Sequence, residues 1–167
     1  MKFNYYAFRA IYLHEMDRFR RTLMQSLFSP VLSTSLYFIV FGSVIGGYVE
    51  KIDGISYGSF IVPCLLMLPL LTQSISNTSF GIFFPKFNGT IYEILAAPIS
   101  TFEIVLAFVG AGATKTLLVG VVIFITATFF VEVQVMYPLL MIFLLVLVAF
   151  TFALFGFLIG LMSSNFE

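Results

Sequence analysis

The chain has 167 residues, of which 60% are hydrophobic and only 10% are charged, with eight basic and eight acidic side chains. A water-soluble domain of this length cannot bury so much apolar surface, so the composition excludes a soluble fold. The balanced charge argues against a nucleic acid as the partner.

Residues 1–23 predict an amphipathic helix that lies in the membrane interface. Its aromatic and charged character is wrong for a cleavable signal peptide. Most basic residues fall away from the apolar side of the helix, so it is expected to contact anionic lipid or, alternatively, a specific partner. The apolar residues, at three- and four-residue spacing, are Tyr5, Phe8, Tyr12, Met16, Phe19 and Leu23.

Long uncharged stretches predict four membrane-spanning helices, because about 20 apolar residues are needed to cross the hydrocarbon core. We place the spans at residues 25–45, 57–80, 103–130 and 137–161, within one domain covering residues 1–167. Five basic residues precede the first span and one, Lys51, follows it, so the N-terminus is expected in the cytoplasm. Gly156 and Gly160 have the four-residue spacing that lets two membrane helices approach closely. The predicted fold is an all-α integral membrane protein.

Polar residues interrupt the second and third spans. Gln73 and Asn77 follow two prolines, and these side chains either line a translocation path or bond to neighbouring helices. Lys115 lies part-way along the third span, where a lysine is costly. It is expected either to snorkel towards the cytoplasmic side or to contribute to substrate binding or gating.

The segment between the second and third spans contains two capping-box patterns. Thr90 with Glu93, and Ser100 with Glu103, have the spacing that begins a helix, and Pro98 ends the first helix early. The resulting helix, residues 90–97, is too short to be stable alone and must pack on another surface. That surface is either the protein's own spans and lipid or a cytoplasmic partner. The apolar residues available for this contact are Ile91, Ile94 and Leu95.

Residues 89–100 read Gly-Thr-Ile-Tyr-Glu-Ile-Leu-Ala-Ala-Pro-Ile-Ser and resemble the cytoplasmic coupling segment of the type-2 class of ABC exporter permeases. Arg18-Phe19-x-Arg21, residues 36–42 and Phe60-Ile61-Val62-Pro63 extend the resemblance. It implies a multi-pass inner-membrane permease that dimerises and moves an amphiphilic or polymeric substrate, such as a lipid, glycan or drug. ATP would be bound and hydrolysed by a separate ABC ATP-binding subunit. The residues implied to couple to that subunit are Gly89, Thr90, Ile91, Glu93, Leu95 and Pro98.

The chain departs from this family in length. Such permeases usually have six spans, and the last two are expected to be missing here, as in a truncated product. Cys64 also stands where relatives commonly have glycine. A non-transporting scaffold or assembly remnant is therefore one alternative. An ATP-independent channel or carrier is the other, with Gln73, Asn77 and Lys115 as its candidate path.

Nothing in the sequence predicts catalysis. Residues 110–116 superficially look like a phosphate-binding loop, but Thr114 occupies the position before the lysine where glycine is required. His14 is the single histidine and Cys64 the single cysteine. We therefore predict no catalytic, cofactor-binding or metal-binding residues in this chain.

Overall fold

The computed structural model describes residues 4–45, 51–52, 55–131 and 135–163, and it is almost entirely helical. A two-stranded antiparallel ribbon pairs Lys51 with Ser56 and Ile52 with Ile55. The predicted all-α class is confirmed. The elements in chain order are α1 (Tyr5–Arg21), α2 (Leu23–Tyr37) with a π-helical continuation (Phe38–Ile45), β1 (Lys51–Ile52), β2 (Ile55–Ser56), α3 (Tyr57–Phe87), α4 (Ile91–Ala96), α5 (Thr101–Phe130) and α6 (Pro138–Met162).

Four helices in the described part of the chain are long and apolar enough to cross a membrane, as the sequence predicts. Their apolar segments are Leu23–Phe41, Ser59–Phe87, Thr101–Phe130 and Pro138–Met162. The helix of the second span runs to Phe87, past the predicted end at residue 80, with Pro63, Pro69 and Pro85 inside it. These prolines are compatible with a membrane helix because neighbouring helices can satisfy the freed carbonyls.

Helix α5 lies at the centre of the bundle and contacts α1, α2, α3 and α6. Its buried positions include small residues, which let the neighbouring helices approach its backbone. The main apolar core joins α5 to α3 and α6. Its buried members are Ile82, Ile104, Phe108, Val109, Ala113, Ala149, Ala153 and Phe157.

Gly156 and Gly160 bring α6 directly against α3. A Cβ atom at Gly156 would lie 2.5 Å from the carbonyl oxygen of Ile75, and one at Gly160 would lie 2.6 Å from that of Ser79. Distances this short leave no room for a side chain. The packing role predicted from the spacing of these glycines is therefore confirmed.

Helix α1 runs alongside the first half of α5 in the same direction. The backbone N–H of Asn4 donates to Glu103, and the hydroxyl of Tyr12 donates to Thr114. Phe19 then packs with Val119 and Ile123. Contacts thus progress together along both helices. The predicted location of α1 at the membrane interface stays a prediction.

The two ends of the bundle carry different elements. The end we call the α4 end contains the starts of α1 and α5, the end of α3 and helix α4. The end of α6 also lies there, because Lys86 near the end of α3 donates to the carbonyls of Leu161 and Ser163. Consequently α3 and α6 point towards the α4 end, whereas α5 points away from it.

Candidate functional site

The connection between α3 and α4 is a tight turn at Gly89. Its φ angle of 78° lies in the left-handed region, which glycine adopts at no steric cost. Thr90 already has helical backbone angles, and its hydroxyl donates to the carbonyl of Pro85 at 3.4 Å. The capping box predicted for Thr90 and Glu93 is therefore wrong, because an N-cap residue has non-helical angles and bonds forwards.

The second capping box is formed. Ala97 is extended immediately before Pro98, as expected of a residue that precedes proline, and α4 ends at Ala96. The carboxylate of Glu103 accepts the backbone N–H of Ser100 at 2.9 Å. The same buried carboxylate accepts the N–H of Asn4 at 2.6 Å. Glu103 therefore fixes the start of α5 and the start of α1 together.

Helix α4 has two different faces. Ile91 and Ile94 are partly buried and pack against the core shared by α3, α5 and α6. Leu95 is 61% exposed and Tyr92 74% exposed, and Glu93 is exposed as well. The sequence left open whether α4 packs on the protein's own spans or on a partner. In the structure, Ile91 and Ile94 pack on the protein's own bundle. Leu95 and Glu93 remain available to another surface.

Thr90 and Pro98, at the two ends of α4, are both exposed. The six predicted coupling residues thus lie within one turn–helix–turn segment at the α4 end. Ile91 differs from the others because it packs on the core. This segment combines an anchored inner face with an accessible outer face.

A cleft of about 400 Å³ lies beside α1, and we call it the α1 cleft. Of the predicted path residues, Asn77 and Lys115 line it, and the side-chain amide of Asn77 donates to Gln73 at 3.3 Å. The structure therefore brings these three residues together. The complete lining is Arg18, Phe19, Thr22, Gln25, Ser26, Ser76, Asn77, Phe80, Phe84 and Lys115.

A buried ion pair joins α1 to α5 at this cleft. The ammonium of Lys115 lies 2.7 Å from Glu15 Oε2, and both side chains are 3% exposed. Arg18, 32% exposed, approaches the same oxygen at 3.2 Å. Lys115 does not snorkel, so that interpretation is wrong: a carboxylate within the bundle satisfies its charge instead.

Glu15 is the residue that sequence reasoning missed. It follows Tyr12 by three residues and precedes Phe19 by four, so helical spacing places it on the same face as these apolar residues. A carboxylate on an apolar face predicts a buried partner of opposite charge. Its other oxygen, Oε1, is buried with no hydrogen-bond partner within the described residues.

Lys86 has a structural role that the sequence did not indicate. Its ammonium lies 2.7 Å from each of the carbonyl oxygens of Leu161 and Ser163. Carbonyls at a helix C-terminus lack intrahelical partners, and a cation there is favourable. Lys86 therefore connects the segment leading into α4 to the end of α6.

In the part of the chain that the structure describes, no group of three or more His, Cys, Asp or Glu side chains is placed to hold a metal ion. His14 is exposed on α1, and Cys64 is exposed on α3. Among the described residues, the outer face of α4 and the α1 cleft are the regions that we consider for recognition.

Comparisons with known proteins identify one family and a set of related permeases. Residues 6–167 match the family model described as ABC-2 type transporter. The chain is 37% identical over 161 residues to the inner membrane transport permease YadH of Escherichia coli strain K12, and equally to that of Shigella flexneri. The match covers 96% of this chain and 63% of each relative's length. No solved structure matches the chain at a significant level.

Proposed function

Because the chain belongs to the ABC-2 type transporter family, we propose that it is the membrane-spanning permease subunit of an ATP-driven exporter. ATP is bound and hydrolysed by a separate ABC ATP-binding subunit, and this chain contributes no catalytic group. We place the chain in an inner membrane of the bacterial type, the location given in the name of its relatives, with the N-terminus in the cytoplasm. The basic residues before α2 support that orientation.

The observation that carries the proposal is the division of α4 into two faces. Ile91 and Ile94 fix the helix to the bundle, while Glu93 and Leu95 face away from it. A six-residue helix with an exposed leucine beside a carboxylate is suited to a groove on a partner protein. The residues in this coupling role are Gly89, Thr90, Ile91, Glu93, Leu95 and Pro98.

Coupling requires that a displacement of α4 reach the spans. Gly89 and Pro98 flank α4 closely, so α4 is joined to α3 and α5 by short connections. Ile91 and Ile94 also press directly on the core between α3, α5 and α6. When two ATP-binding subunits approach each other, they bias one of two arrangements of these helices, because they bind the two arrangements with different affinity.

The transported substrate is proposed to be amphiphilic or polymeric, such as a lipid, glycan or drug. Two copies of the permease pair and are surrounded by lipid, as the family resemblance implies. The α1 cleft supports a path through each copy, since it combines the amide of Asn77, the cations Arg18 and Lys115, and apolar rings. Gln73 extends this polar set through its bond to Asn77.

The proposal is tested by co-purifying the chain with its co-expressed ATP-binding subunit from mild detergent. The variant carries Glu93→Arg and Leu95→Asp, which reverse one charge and add another on the outer face of α4. We expect the wild type to retain the ATP-binding subunit. The affinity of the variant for that subunit is expected to fall at least tenfold, since such changes at an interface cost more than about 1.4 kcal/mol.

A matched control carries Tyr137→Asp, a charge introduced at an exposed position at the other end of the bundle. This control is expected to bind as the wild type does. If neither the wild type nor the control retains the ATP-binding subunit although both insert into the membrane, the permease proposal is wrong and a scaffold role is favoured. Equal binding by the α4 variant would instead reject α4 as the contact.

A further inference from the structure

The charges around the α1 cleft do not balance. Arg18 and Lys115 both line the cleft, and the carboxylate that contacts both of them is Glu15. Lys115 is buried and directs its ammonium to Glu15 at 2.7 Å. Arg18 lies farther from Glu15, at 3.2 Å, and about a third of its side chain is exposed. Among these three side chains, one positive charge is therefore in excess.

Arg18 has unused hydrogen-bonding capacity. A guanidinium carries five N–H donors in a fixed planar fork, and the ion pair with Glu15 occupies only part of it. This fork fits the oxygens of a phosphate or carboxylate with two parallel bonds. The contact with Glu15 is made through Nη2, and Arg18 also lines the cleft, so the guanidinium is placed to contact a ligand there.

Other polar groups line the same cleft. Gln25 and Ser26 come from α2, and Ser76 and Asn77 come from α3. Amide and hydroxyl groups can all donate to an anion, and so many donors suit a phosphate, which has more acceptor oxygens than a carboxylate.

One wall of the cleft is aromatic. Phe80 and Phe84 lie one helical turn apart on α3, with ring centroids 6.5 Å apart and planes inclined by 17°. They are 51% and 43% exposed. Apolar rings beside a cationic group favour a ligand that has an apolar part attached to its charged part.

We infer that the α1 cleft binds a singly charged phosphate-diester headgroup attached to an apolar chain, with Arg18 as the principal contact. Gln25, Ser26, Ser76 and Asn77 donate to the remaining oxygens, and the apolar part lies along Phe80 and Phe84. This site deepens the proposed function, because Asn77 and Lys115 belong to the proposed path. The ligand is either a resident membrane lipid or the exported amphiphile.

The test measures binding to the full chain in detergent without any ATP-binding subunit, so its result does not depend on the coupling proposal. Purified protein is titrated with dioctanoyl phosphatidylglycerol, and with uncharged dioctanoylglycerol as the matched probe, by native mass spectrometry. We expect the charged probe to bind at least about tenfold more tightly, as one charge-assisted hydrogen bond provides. Equal affinity for the two probes would overturn the inference.

Two variants within the cleft and one control variant outside it locate the binding site. Arg18→Gln is expected to abolish the preference for the charged probe, whereas Arg20→Gln, on an exposed position of the same helix outside the cleft, is expected to keep it. Gln25→Leu leaves every charge in place and is expected to weaken binding about two- to tenfold, as expected for one neutral hydrogen bond. If Arg18→Gln fails to insert into the membrane, the affinity of Gln25→Leu for the charged probe tests the site instead. Unchanged affinity in that variant would reject the site.

The source of the ligand is distinguished with the reconstituted complex of permease and ATP-binding subunit. A transported amphiphile is expected to stimulate ATP hydrolysis in the wild type and not in Arg18→Gln. A resident lipid is expected to co-purify with the wild type and leave ATP hydrolysis unchanged. Both results keep the site and differ only in its occupant.

Discussion

Two interfaces in this molecule hold helices together by different means. Between α3 and α6 the backbones nearly touch at Gly156 and Gly160, among buried apolar side chains, and Ser74 and Lys86 of α3 donate to carbonyls of α6. Between α1 and α5 the contact depends on a buried ion pair and hydrogen bonds at Glu15, Tyr12 and Asn4. The first interface is therefore sensitive to added volume, and the second to an unpaired polar group.

The largest effect is expected from Glu15→Ala, which leaves the ammonium of Lys115 buried without its partner. Removing one member of a buried ion pair typically costs about 3 to 5 kcal/mol. We expect α1 to detach from α5 before the four spans separate. The measurement is the rate of tryptic cleavage after Arg18, Arg20 and Arg21 in detergent, together with the midpoint of unfolding by dodecyl sulfate.

Asp17→Ala is the matched control, because Asp17 is an exposed carboxylate on the same helix. It should leave the cleavage rate close to that of the wild type. Glu15→Leu combined with Lys115→Met removes both charges and should recover most of the stability that Glu15→Ala loses. Similar cleavage of Glu15→Ala and Asp17→Ala would mean that the ion pair does not hold α1 in place.

A smaller effect is expected from Gly156→Ala at the interface between α3 and α6. The new methyl group would meet the backbone of Ile75 and force α3 and α6 apart, and overpacking of this kind costs about 1 to 3 kcal/mol. Gly110→Ala is the control, because the nearest atom to a Cβ there is 4.0 Å away on Tyr12. Equal unfolding midpoints for the two variants would contradict the close approach.

The smallest effect is expected from Tyr12→Phe, which removes one hydrogen bond from the polar interface. The hydroxyl of Tyr12 donates to Thr114 at 3.0 Å, and such a bond contributes about 0.5 to 1.5 kcal/mol. Tyr6→Phe, at a residue that is 82% exposed, provides the comparison. A double-mutant cycle with Thr114→Val measures the bond itself, and a coupling energy of zero would show that this bond does not stabilise the contact between α1 and α5.

The close approach at Gly156 and Gly160 was predictable from sequence because its signal is local. Gly156 and Gly160 lie on one face of one helix, so spacing alone indicates a close approach, although not to which helix. Pro98 and the Ser100–Glu103 box are local signals of the same kind, and they mark the end of α4 and the start of α5 as observed. The four candidate spans follow from uninterrupted apolar length.

The polar interface was not predictable because its two sides are 100 residues apart in sequence. Periodicity places Glu15 on the apolar face of α1, but it does not say which helix covers that face. The Thr90–Glu93 prediction was wrong because spacing does not report backbone conformation. After the turn at Gly89, Thr90 has helical backbone angles and its side chain makes no cap hydrogen bond. Only the folded arrangement shows that Ile91 and Ile94 face inwards while Leu95 faces outwards.

The separation of 100 residues between Glu15 and Lys115 also has a consequence for the order of biosynthesis. At translation rates of about 5 to 20 residues per second, α1 emerges from the ribosome roughly 5 to 20 seconds before Lys115 does. During that interval α1 has no α5 to pack against. When α5 is made, the carboxylate that pairs with Lys115 in the folded protein is therefore already present.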